Sequence, residues 1–503
     1  MNSDGAGVRA LAETPVPTPA PALFRCLGKQ IMKHAFIALS LLVCATPLAA
    51  QERPHPAWQK AGNRPDRIVA TLPGDPRHGF AVTWRTASGG EAAAQIAVAT
   101  DGPQLAENAR TVIGQSESVD LENVGIKGEM WLANWNVGLG KVSYHSVTFD
   151  GLRPDTLYVY RVKGQGGVWS EWFQLRTAPE SGPVTFLYMG DAQNDILSRW
   201  SRVVRQAYSD APDARFIIHA GDLTDKSARD RDWGEWFEAL GFIHSMIPAI
   251  PAMGNHEYMK LENGGRTSAR VPTMLWRPQF TLPREEGLPA ELAELAYDVR
   301  YSRDVHVFII TSNDDANMQA QADWLDREMG KSDAKWKIVS FHHPIFSSHQ
   351  GRDTPEKREK LLPVFLKHKV DLVLQGHDHT YARGAIGEPK DRLGFDDTGA
   401  EITTMFVNSV AGPKQYDFKP TQWDEYKGDG VRLARKAEET QLYQIIRVDG
   451  DRLTYESRTA TGALYDDFTL EKQANGLKTV TSSGTAEMGE RMATTILEAK
   501  HKR

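Results

Sequence analysis

The sequence contains almost no cysteine. Its 503 residues include only two, Cys26 and Cys44, and both lie within the first 50 positions. The rest of the chain therefore has neither a disulfide framework nor a metal site built from thiolates. Any metal ion bound there must be held by His, Asp, Asn or Gln side chains.

Long apolar runs and an excess of positive charge are also missing. After residue 50 no apolar run is long enough to span a bilayer, and the formal net charge is −6. A slightly acidic chain has no electrostatic attraction for bulk nucleic acid or anionic membranes. Its length predicts two or three domains. No feature of the sequence indicates an oligomeric state.

The first 50 residues have the pattern of a leader. Met32-Lys33-His34 is followed by a mostly apolar run over residues 35–43, and small residues lead up to Ala50. A basic start, a short apolar run and small residues are typical of a secretory signal. We therefore expect residues 1–50 to be a leader or signal peptide, with the true start at Met1 or Met32. The mature protein is expected to be periplasmic or secreted.

Two domains and a tail are predicted after the leader. Residues 63–178 contain short alternating segments such as 80–84 and 157–162, punctuated by Gly and Pro, which predicts an all-β sandwich. Strand and helix patterns alternate over residues 183–470, which predicts a layered α/β domain. Residues 262–294 are polar and are expected to form a long active-site loop. Residues 471–503 read as a polar C-terminal tail.

Five segments of the α/β domain place metal-binding residue types directly after a predicted strand. They are Gly190-Asp191-Ala192-Gln193, Gly221-Asp222-Leu223-Thr224-Asp225, Gly254-Asn255-His256-Glu257, Phe341-His342-His343-Pro344 and Gly376-His377-Asp378-His379. Loops at the carboxyl ends of strands converge on one crevice. Each segment alone is more often an ordinary turn or a structural histidine. The ordered set of five predicts a metal site.

These motifs, in this order, resemble those of the calcineurin-like metallophosphoesterase superfamily. The region from Asp66 to Leu470 is also similar to bacterial relatives of purple acid phosphatases, which carry a fibronectin type III-like domain first. Segments 169–173 and 376–383 add to that likeness. The resemblance implies a four-layer-type sandwich of mixed sheets flanked by helices, preceded by an all-β fibronectin type III-like sandwich.

The resemblance also implies two metal ions. One ion would be held by Asp191, Asp222 and His379, with Gln193 either a ligand or a hydrogen-bond donor to a coordinated water. The other ion would be held by Asp222, Asn255, His342 and His377, so that Asp222 bridges. Oxygen and nitrogen donors of this kind suit divalent or trivalent Fe, Mn or Zn. A hydroxide on the metal ions is the expected nucleophile.

The expected catalytic and substrate-binding residues follow from the same motifs. His256 should donate a proton or hydrogen bond to the leaving group, and Asn255 and His349 should also contact the substrate. Purple acid phosphatases have Tyr where this chain has Asp225, which argues against a tyrosinate-bound Fe(III) centre. Asp225 either orients His256 as a catalytic dyad, as in the Ser/Thr phosphatase branch, or caps a helix over residues 226–236.

Several other residues have open interpretations. Arg383 and Lys226 either bind phosphate or are ordinary charges, and Glu257 is expected to accept hydrogen bonds rather than act as an acid. Four histidines and His343 are expected to be structural: His145, His244, His306 and His368. The pair Trp169 and Trp172 should pack the β-domain, with carbohydrate binding as the alternative.

The function expected from these features is a dinuclear metal-dependent phosphomonoesterase that acts on a small phosphorylated substrate. A phosphodiesterase of the same fold is the nearest alternative, because both reactions need the same pair of metals. A non-enzymatic metal-containing binding protein and an adhesive protein that works through its β-domain are the alternatives from other classes.

Overall fold

The N-terminal domain is a sandwich of two antiparallel sheets. The computed structural model describes residues 56, 59–124, 135–263, 266–388, 398–482 and 489–493, so the expected leader lies outside the described residues. The strands of this domain are β1 (Asp66–Thr71), β2 (Phe80–Ala87), β3 (Ala93–Val98), β4 (Arg110–Ile113), β5 (Gln115–Asp120), β6 (Lys141–Phe149), β7 (Leu157–Val162) and β8 (Phe173–Arg176). One sheet has the order β1-β2-β6-β5 and the other β4-β3-β7-β8. The predicted all-β architecture is confirmed.

The second domain contains two mixed β-sheet layers. The strands that build them are β9 (Val184–Met189), β10 (Ile217–His219), β11 (Ala249–Pro251), β12 (Tyr258–Asn263), β13 (Arg266–Pro272), β14 (Tyr297–Arg300), β15 (Val305–Ile309), β16 (Trp336–Ser340), β17 (Leu372–Gln375), β18 (Tyr381–Glu388), β19 (Glu401–Asn408), β20 (Val431–Ala437), β21 (Leu442–Asp449), β22 (Arg452–Thr459), β23 (Leu464–Lys472) and β24 (Lys478–Thr481). Of these strands, β12 and β13 form a two-stranded hairpin outside the two layers.

Parallel pairing brings the carboxyl ends of the central strands together in each layer. One layer contains β9, β10 and β11 in parallel, and the other contains β15, β16, β17 and β19 in parallel. Strand β24 pairs with both β23 and β19 and so joins the two layers. Strands β9, β15 and β17 are mostly apolar and are buried along their whole length, as expected for strands covered on both faces.

Helices flank the sheets and bury one apolar face each. They are α1 (Ser201–Asp210), α2 (Asp230–Leu240), α3 (Ile243–Met246), α4 (Trp276–Gln279), α5 (Met318–Lys331) and α6 (Pro355–Lys367). A π-helical turn, Ile196–Trp200, precedes α1, and the apolar face of this segment is buried at Ile196, Trp200, Val203 and Ala207. This α/β layering agrees with the predicted fold class.

Two expectations about local structure were wrong. Residues 262–294 are not one loop, because they include most of the β12–β13 hairpin and helix α4. The boundary drawn at residue 470 cuts β23, and the chain continues as β24 in the same sheet, so residues 471–482 belong to the folded domain. Both segments are rich in polar residues, and this hid their strand character.

The two sequence domains pack closely against each other within one unit that spans residues 55–503. Strand β1 adds to β11 through the pairing of Thr71 with Ala249. The Tyr160 hydroxyl donates to the main-chain oxygen of Ser245 at 2.6 Å. Since backbone and side-chain bonds both cross this boundary, the β-sandwich forms a fixed wall beside the catalytic domain.

Candidate active site

The five motifs meet at the carboxyl ends of the parallel strands. Asp191 follows β9, Asp222 follows β10 and Asn255 follows β11, all in the first layer. His342 follows β16 and His377 follows β17 in the second layer. The site therefore lies where the carboxyl edges of both layers converge, as expected for layered α/β folds.

Two clusters of metal-ligand atoms lie within this crevice. One consists of Asp222, His342 and His377, the other of Asp191, Asp222 and His379, and in each cluster the atoms lie within 4.8 Å of one another. His342 Nε2 is 3.2 Å from Asp222 Oδ2 and 3.1 Å from both Asn255 Oδ1 and His377 Nδ1. Asp222 is common to both clusters, which is the position required of a bridging carboxylate.

The backbone at these residues is strained. Asp191, Asp222, His377 and His379 all have φ between +51° and +74°, a region that residues other than glycine rarely adopt. A Cβ atom on Gly254 would lie 2.1 Å from Asp222 Oδ1, so only glycine fits there. Strain of this kind persists where the surrounding fold holds a functional geometry in place.

Gln193 lies inside the second cluster. Its Nε2 is 2.7 Å from Asp222 Oδ2 and 3.1 Å from His379 Nε2, while its Oε1 is buried without a hydrogen-bond partner. An orphaned buried oxygen is costly unless something binds it. Rotation of the amide by 180° would place this oxygen among the donor atoms of the cluster. Gln193 therefore fits a metal ligand as well as a hydrogen-bond donor.

The electrostatics of the crevice suit cations. Burial, together with Asp222, raises the pKa of Asp191 to about 8, whereas His342 and His256 hold the pKa of Asp222 below its usual range against the effect of burial. Burial lowers the pKa of His379 to about 3 and that of His377 well below its ordinary value. These imidazoles are neutral, which is the form that binds metal. The donor set therefore fits two metal ions.

His256 lies beside the shared carboxylate. Its side chain is 18% exposed, and its Nε2 is 3.9 Å from Asp222 Oδ2. Its Nδ1 is 2.6 Å from the main-chain oxygen of Asp225 and 3.5 Å from the carboxylate Oδ1 of the same residue. Asp225 thus contacts His256 chiefly through its backbone. The helix-cap alternative for Asp225 is wrong, because α2 begins only at Asp230.

Glu257 holds the loops together from behind. Its carboxylate accepts hydrogen bonds from the backbone N–H groups of Asp222 (2.9 Å), Thr224 (3.2 Å) and Gly254 (2.8 Å). The residue is fully buried, and burial followed by the neighbouring Asp222 raises its pKa to about 7. It acts as an acceptor that fixes two ligand loops, as expected from the sequence.

His349 reaches the rim of the site through an anchored loop. Asp378 Oδ2 accepts hydrogen bonds from Ser347 Oγ (2.8 Å) and from the N–H groups of Ser348 (2.6 Å) and His349 (3.2 Å). The His349 ring stacks on Tyr416 at a centroid distance of 4.7 Å. Asp378, which lies between two candidate ligands, therefore positions the loop that carries His349.

Sequence reasoning missed three residues of this rim. Arg352 donates to the main-chain oxygen of His377 at 2.6 Å, and its guanidinium lies 4.8 Å from the Tyr416 ring. The Lys414 ammonium lies 5.5 Å from the same ring, and the Tyr416 ring is 4.8 Å from that of His379. Arg352 is three residues beyond His349, which is the only signal the sequence offered. Lys414 and Tyr416 have no motif around them.

Other candidates lie outside the crevice. Arg383 is buried and bonded to Asp466 at 2.7 Å, so the phosphate-binding alternative for Arg383 is wrong. Lys226 is 3.9 Å from the Asp225 carboxylate and is partly exposed. His343 bonds Ser312 Oγ at 2.9 Å and belongs to neither ligand cluster.

The remaining histidines and the two tryptophans have local partners. The four histidines contact Trp84, His219, Asp298 and Asp326, and they are His145, His244, His306 and His368, respectively. In the β-sandwich, the Arg161 guanidinium lies 4.7 Å from the Trp169 ring and 4.5 Å from the Trp172 ring. The two rings thus pack on a residue of their own domain.

Comparison with known proteins gives the same picture over most of the chain. The family described as calcineurin-like phosphoesterase matches residues 184–381, and the N-terminal domain of purple acid phosphatases matches residues 65–177. Purple acid phosphatase 18 of Arabidopsis thaliana is 24% identical over 374 residues, which is 69% of this chain and 74% of that protein. The chain contains a calcineurin-like phosphoesterase domain that follows a purple acid phosphatase N-terminal domain.

Further relatives of this metallophosphoesterase agree with that assignment. A probable purple acid phosphatase 20 of Arabidopsis thaliana is 27% identical over 250 residues, which is 48% of this chain and about half (55%) of that relative. The solved structure of purple acid phosphatase PPD1 from yellow lupin (Lupinus luteus) seeds has a TM-score of 0.63 at 18% identity, covering 82% of this chain and 75% of that one. The predicted fold class and the dinuclear type of metal site are confirmed.

Proposed function

We propose that this metallophosphoesterase hydrolyses phosphomonoesters of small molecules. One observation carries the proposal: two ligand clusters share the buried Asp222, and His256 lies beside them. One ion would be held by Asp191, Asp222 and His379 with Gln193, and the other by Asp222, Asn255, His342 and His377. The mixture of carboxylate, amide and imidazole donors favours Fe, Mn or Zn.

The residues around the two ligand clusters would have distinct roles in the reaction. When bound by these residues, the two ions would polarise the phosphoryl group and lower the pKa of the attacking water. The Nδ1–H group of His256 donates a hydrogen bond to the Asp225 main-chain oxygen, so the proton passed to the leaving group would be the second one, which Nε2 carries in the imidazolium form. Asn255, whose Oδ1 lies 3.1 Å from His342 Nε2, would contact the substrate as well as the metal. The Asp225 carboxylate adds to the orientation of His256 at 3.5 Å.

The rim supplies positive charge for the substrate. Among the described residues, neither Arg352 nor Lys414 pairs with a carboxylate, and both lie beside Tyr416. Arg352 donates through Nη1 to the His377 main-chain oxygen and through Nη2 to the Tyr416 hydroxyl at 3.4 Å, which leaves its Nε–H without a partner among the described residues. We propose that Arg352, Lys414 and His349 bind the non-reacting oxygens of the phosphate or a second anionic group of the substrate.

Export is part of the proposal. The leader pattern of residues 1–50 supports a periplasmic or secreted protein. Within the described parts of the chain, no helix has both the length and the apolarity needed to cross a membrane. Cell fractionation with mass spectrometry of the mature N-terminus tests this point, and a cytoplasmic protein that retains residues 1–50 would contradict it.

The main experiment measures metal content and ester preference together. Purified protein is assayed for metals per chain and for hydrolysis of p-nitrophenyl phosphate and bis(p-nitrophenyl) phosphate, before and after chelation. We expect about two metals, chelator-sensitive turnover and a higher kcat/KM for the monoester. Preference for the diester would instead identify a phosphodiesterase. No turnover after reloading with Fe, Mn or Zn would leave a metal-containing binding protein.

The variant Arg352→Gln sharpens that experiment. Because a monoester carries more negative charge than a diester, we expect kcat/KM to fall about ten-fold for the monoester and less for the diester. The matched control is Arg447→Gln, which changes an exposed arginine of β21. Equal losses on both esters would contradict a role for Arg352 in binding the phosphate charge.

A further inference from the structure

A basic cavity lies at the amino-terminal edge of the second layer. It has a volume of about 510 Å³, and its lining includes four lysines, Lys335, Lys337, Lys369 and Lys472. Lys337 is the second residue of β16, whereas the candidate ligand His342 follows the other end of that strand. At about 3.3 Å per residue the two lie roughly 17 Å apart along the strand. The cavity is therefore separate from the metal crevice.

The cavity has more positive than negative charge. The lining contains four lysines and one carboxylate, Asp451. Behind the lining, the buried Lys478 pairs with a second carboxylate, Asp371, so five lysines are gathered with two carboxylates. Asp371 is fully buried and accepts from Lys472 Nζ at 2.8 Å and from Lys478 Nζ at 3.0 Å. Lys335 pairs with Asp451 at 3.0 Å. An excess of three positive charges stands out on a chain whose net charge is −6.

The Lys337 ammonium has no partner in the described part of this arrangement. No hydrogen bond or ion pair of its Nζ exists among the residues that the structure describes, although the side chain is only partly exposed. Burial and the neighbouring Lys472 lower its pKa, while Asp371 opposes this. Lys369 uses its Nζ for a single main-chain bond, to the oxygen of Asn475. Each of these ammonium groups therefore has donors left for a ligand.

Chemistry and size limit what could bind. Lysines gathered in a concave site repel one another, and an anion with two or more charges removes that repulsion while accepting the open donors. The overall negative charge of the chain disfavours an extended polyanion such as nucleic acid. Residues 473–476 also line the cavity, and its volume of about 510 Å³ suits a small ligand.

We propose that this cavity binds a small multivalent oxyanion of the phosphate type. Lys337 and Lys369 would donate to it directly, and Asp371 would hold Lys472 and Lys478 in place around it. The proposal does not depend on the function proposed above, because the cavity lies at the opposite end of the strands from the metal crevice. Inorganic phosphate, the product of the proposed reaction, is the probe with the right charge and size.

The test is isothermal titration of the metal-loaded full chain with inorganic phosphate at low ionic strength. We expect two phosphates per chain, one at the metals and one in the cavity. The double variant Lys337→Gln, Lys369→Gln should bind one phosphate and keep the kcat of the wild type on an aryl phosphate. The single variant Lys337→Gln should weaken the cavity site about ten-fold, whereas Lys337→Arg should retain it. Lys331→Gln, outside the cavity, is the matched control.

A second measurement separates this site from the catalytic one. In the Asp222→Asn variant, whose metal sites are expected to be lost, one phosphate per chain should still bind, and the Lys337→Gln, Lys369→Gln substitutions should abolish that binding. One phosphate per chain in the wild type and none in Asp222→Asn would overturn the proposal. Two phosphates that persist in the double lysine variant would also overturn it.

Discussion

Two regions of this protein that bury charged side chains differ in the partners that those charges have. Between the β-sandwich and the catalytic domain, Asp230 is bonded by Arg67 at 2.7 and 2.8 Å and by Arg85 at 3.3 Å. In the metal crevice, no Lys or Arg pairs with Asp191 or Asp222 among the described residues. Their partners there are imidazoles, backbone N–H groups and the Gln193 amide.

The difference separates a structural network from a binding site. Removing charges from water costs several kcal/mol for each ion, and fixed opposite charges are one way to offset that cost. The interdomain network has its own opposite charges, so it needs nothing from outside. The crevice has donors but too few cations, and its strained backbone and the orphaned Gln193 Oε1 point the same way. Buried charge without an internal partner marks the place where an ion binds.

The largest effect should come from breaking the shared ligand. Asp222→Asn removes the charge common to both clusters, so we expect both metals to be lost or weakened and kcat to fall by at least about a thousand-fold. Metal analysis and steady-state kinetics measure these two quantities, with circular dichroism to check folding. Retention of two tightly bound metals would show that Asp222 does not bridge.

A smaller loss should follow from removing the proton donor alone. His256→Gln keeps all the proposed ligands, so we expect two metals per chain and a kcat lowered by about 10² to 10⁴. Parallel measurement of metal content distinguishes this role from ligation. If His256→Gln loses one metal, His256 is a ligand and the proposed role as donor is wrong.

A substitution in the interdomain network should lower the stability of the fold and leave metal binding unchanged. Asp230→Asn leaves two buried arginines without their common partner, so we expect the free energy of unfolding to fall by about 3–5 kcal/mol. The midpoint of urea unfolding measures this loss. Metal content should stay at two per chain, since Asp230 is not part of either cluster. A variant with normal stability but fewer bound metals would show that the interdomain network serves metal binding rather than stability.

The last prediction, for an effect that is absent at neutral pH, concerns a buried pair of neutral histidines. His219 Nε2 and His244 Nε2 are 2.9 Å apart in the core, and burial lowers the pKa of His244 to about 4 and that of His219 well below its ordinary value. The unfolded chain binds protons that the folded chain does not. The contribution of this pair to the free energy of unfolding is therefore fully present above pH 6.5. It declines as the pH falls, by up to about 1.4 kcal/mol per pH unit for each imidazole.

Replacement of one member of this pair checks the sign. His244→Gln should make the melting temperature less dependent on pH between 6.5 and 4, even if the variant is less stable at neutral pH. The measurement is a series of melting curves over that range with wild type and variant in the same buffers. A variant as sensitive to acid as the wild type would exclude the pair as a source of acid sensitivity.

Much of the fold and of the metal crevice was predictable from local sequence. Apolar strands followed at once by Gly-Asp, Gly-Asn-His or Gly-His-Asp-His encode both a buried strand and the turn after it. The alternation of such strands with helices predicts the α/β layers. Strand β24 was missed because it is short and polar and is defined only by its pairing with β19 and β23. The contact of His256 with Asp225 was predicted, but not that the main-chain oxygen makes the shorter bond.

The sequence by itself determined where the ligand loops are and which donor atoms they carry, because each loop is written in adjacent residues. Only the tertiary structure decided that Tyr416 stacks against His349 and His379, that Arg67 meets Asp230, and that Lys337 lies in one cavity with Lys472. These partners are from 37 to 163 residues apart along the chain. Such contacts depend on how distant elements pack, and no local pattern of residues specifies that packing.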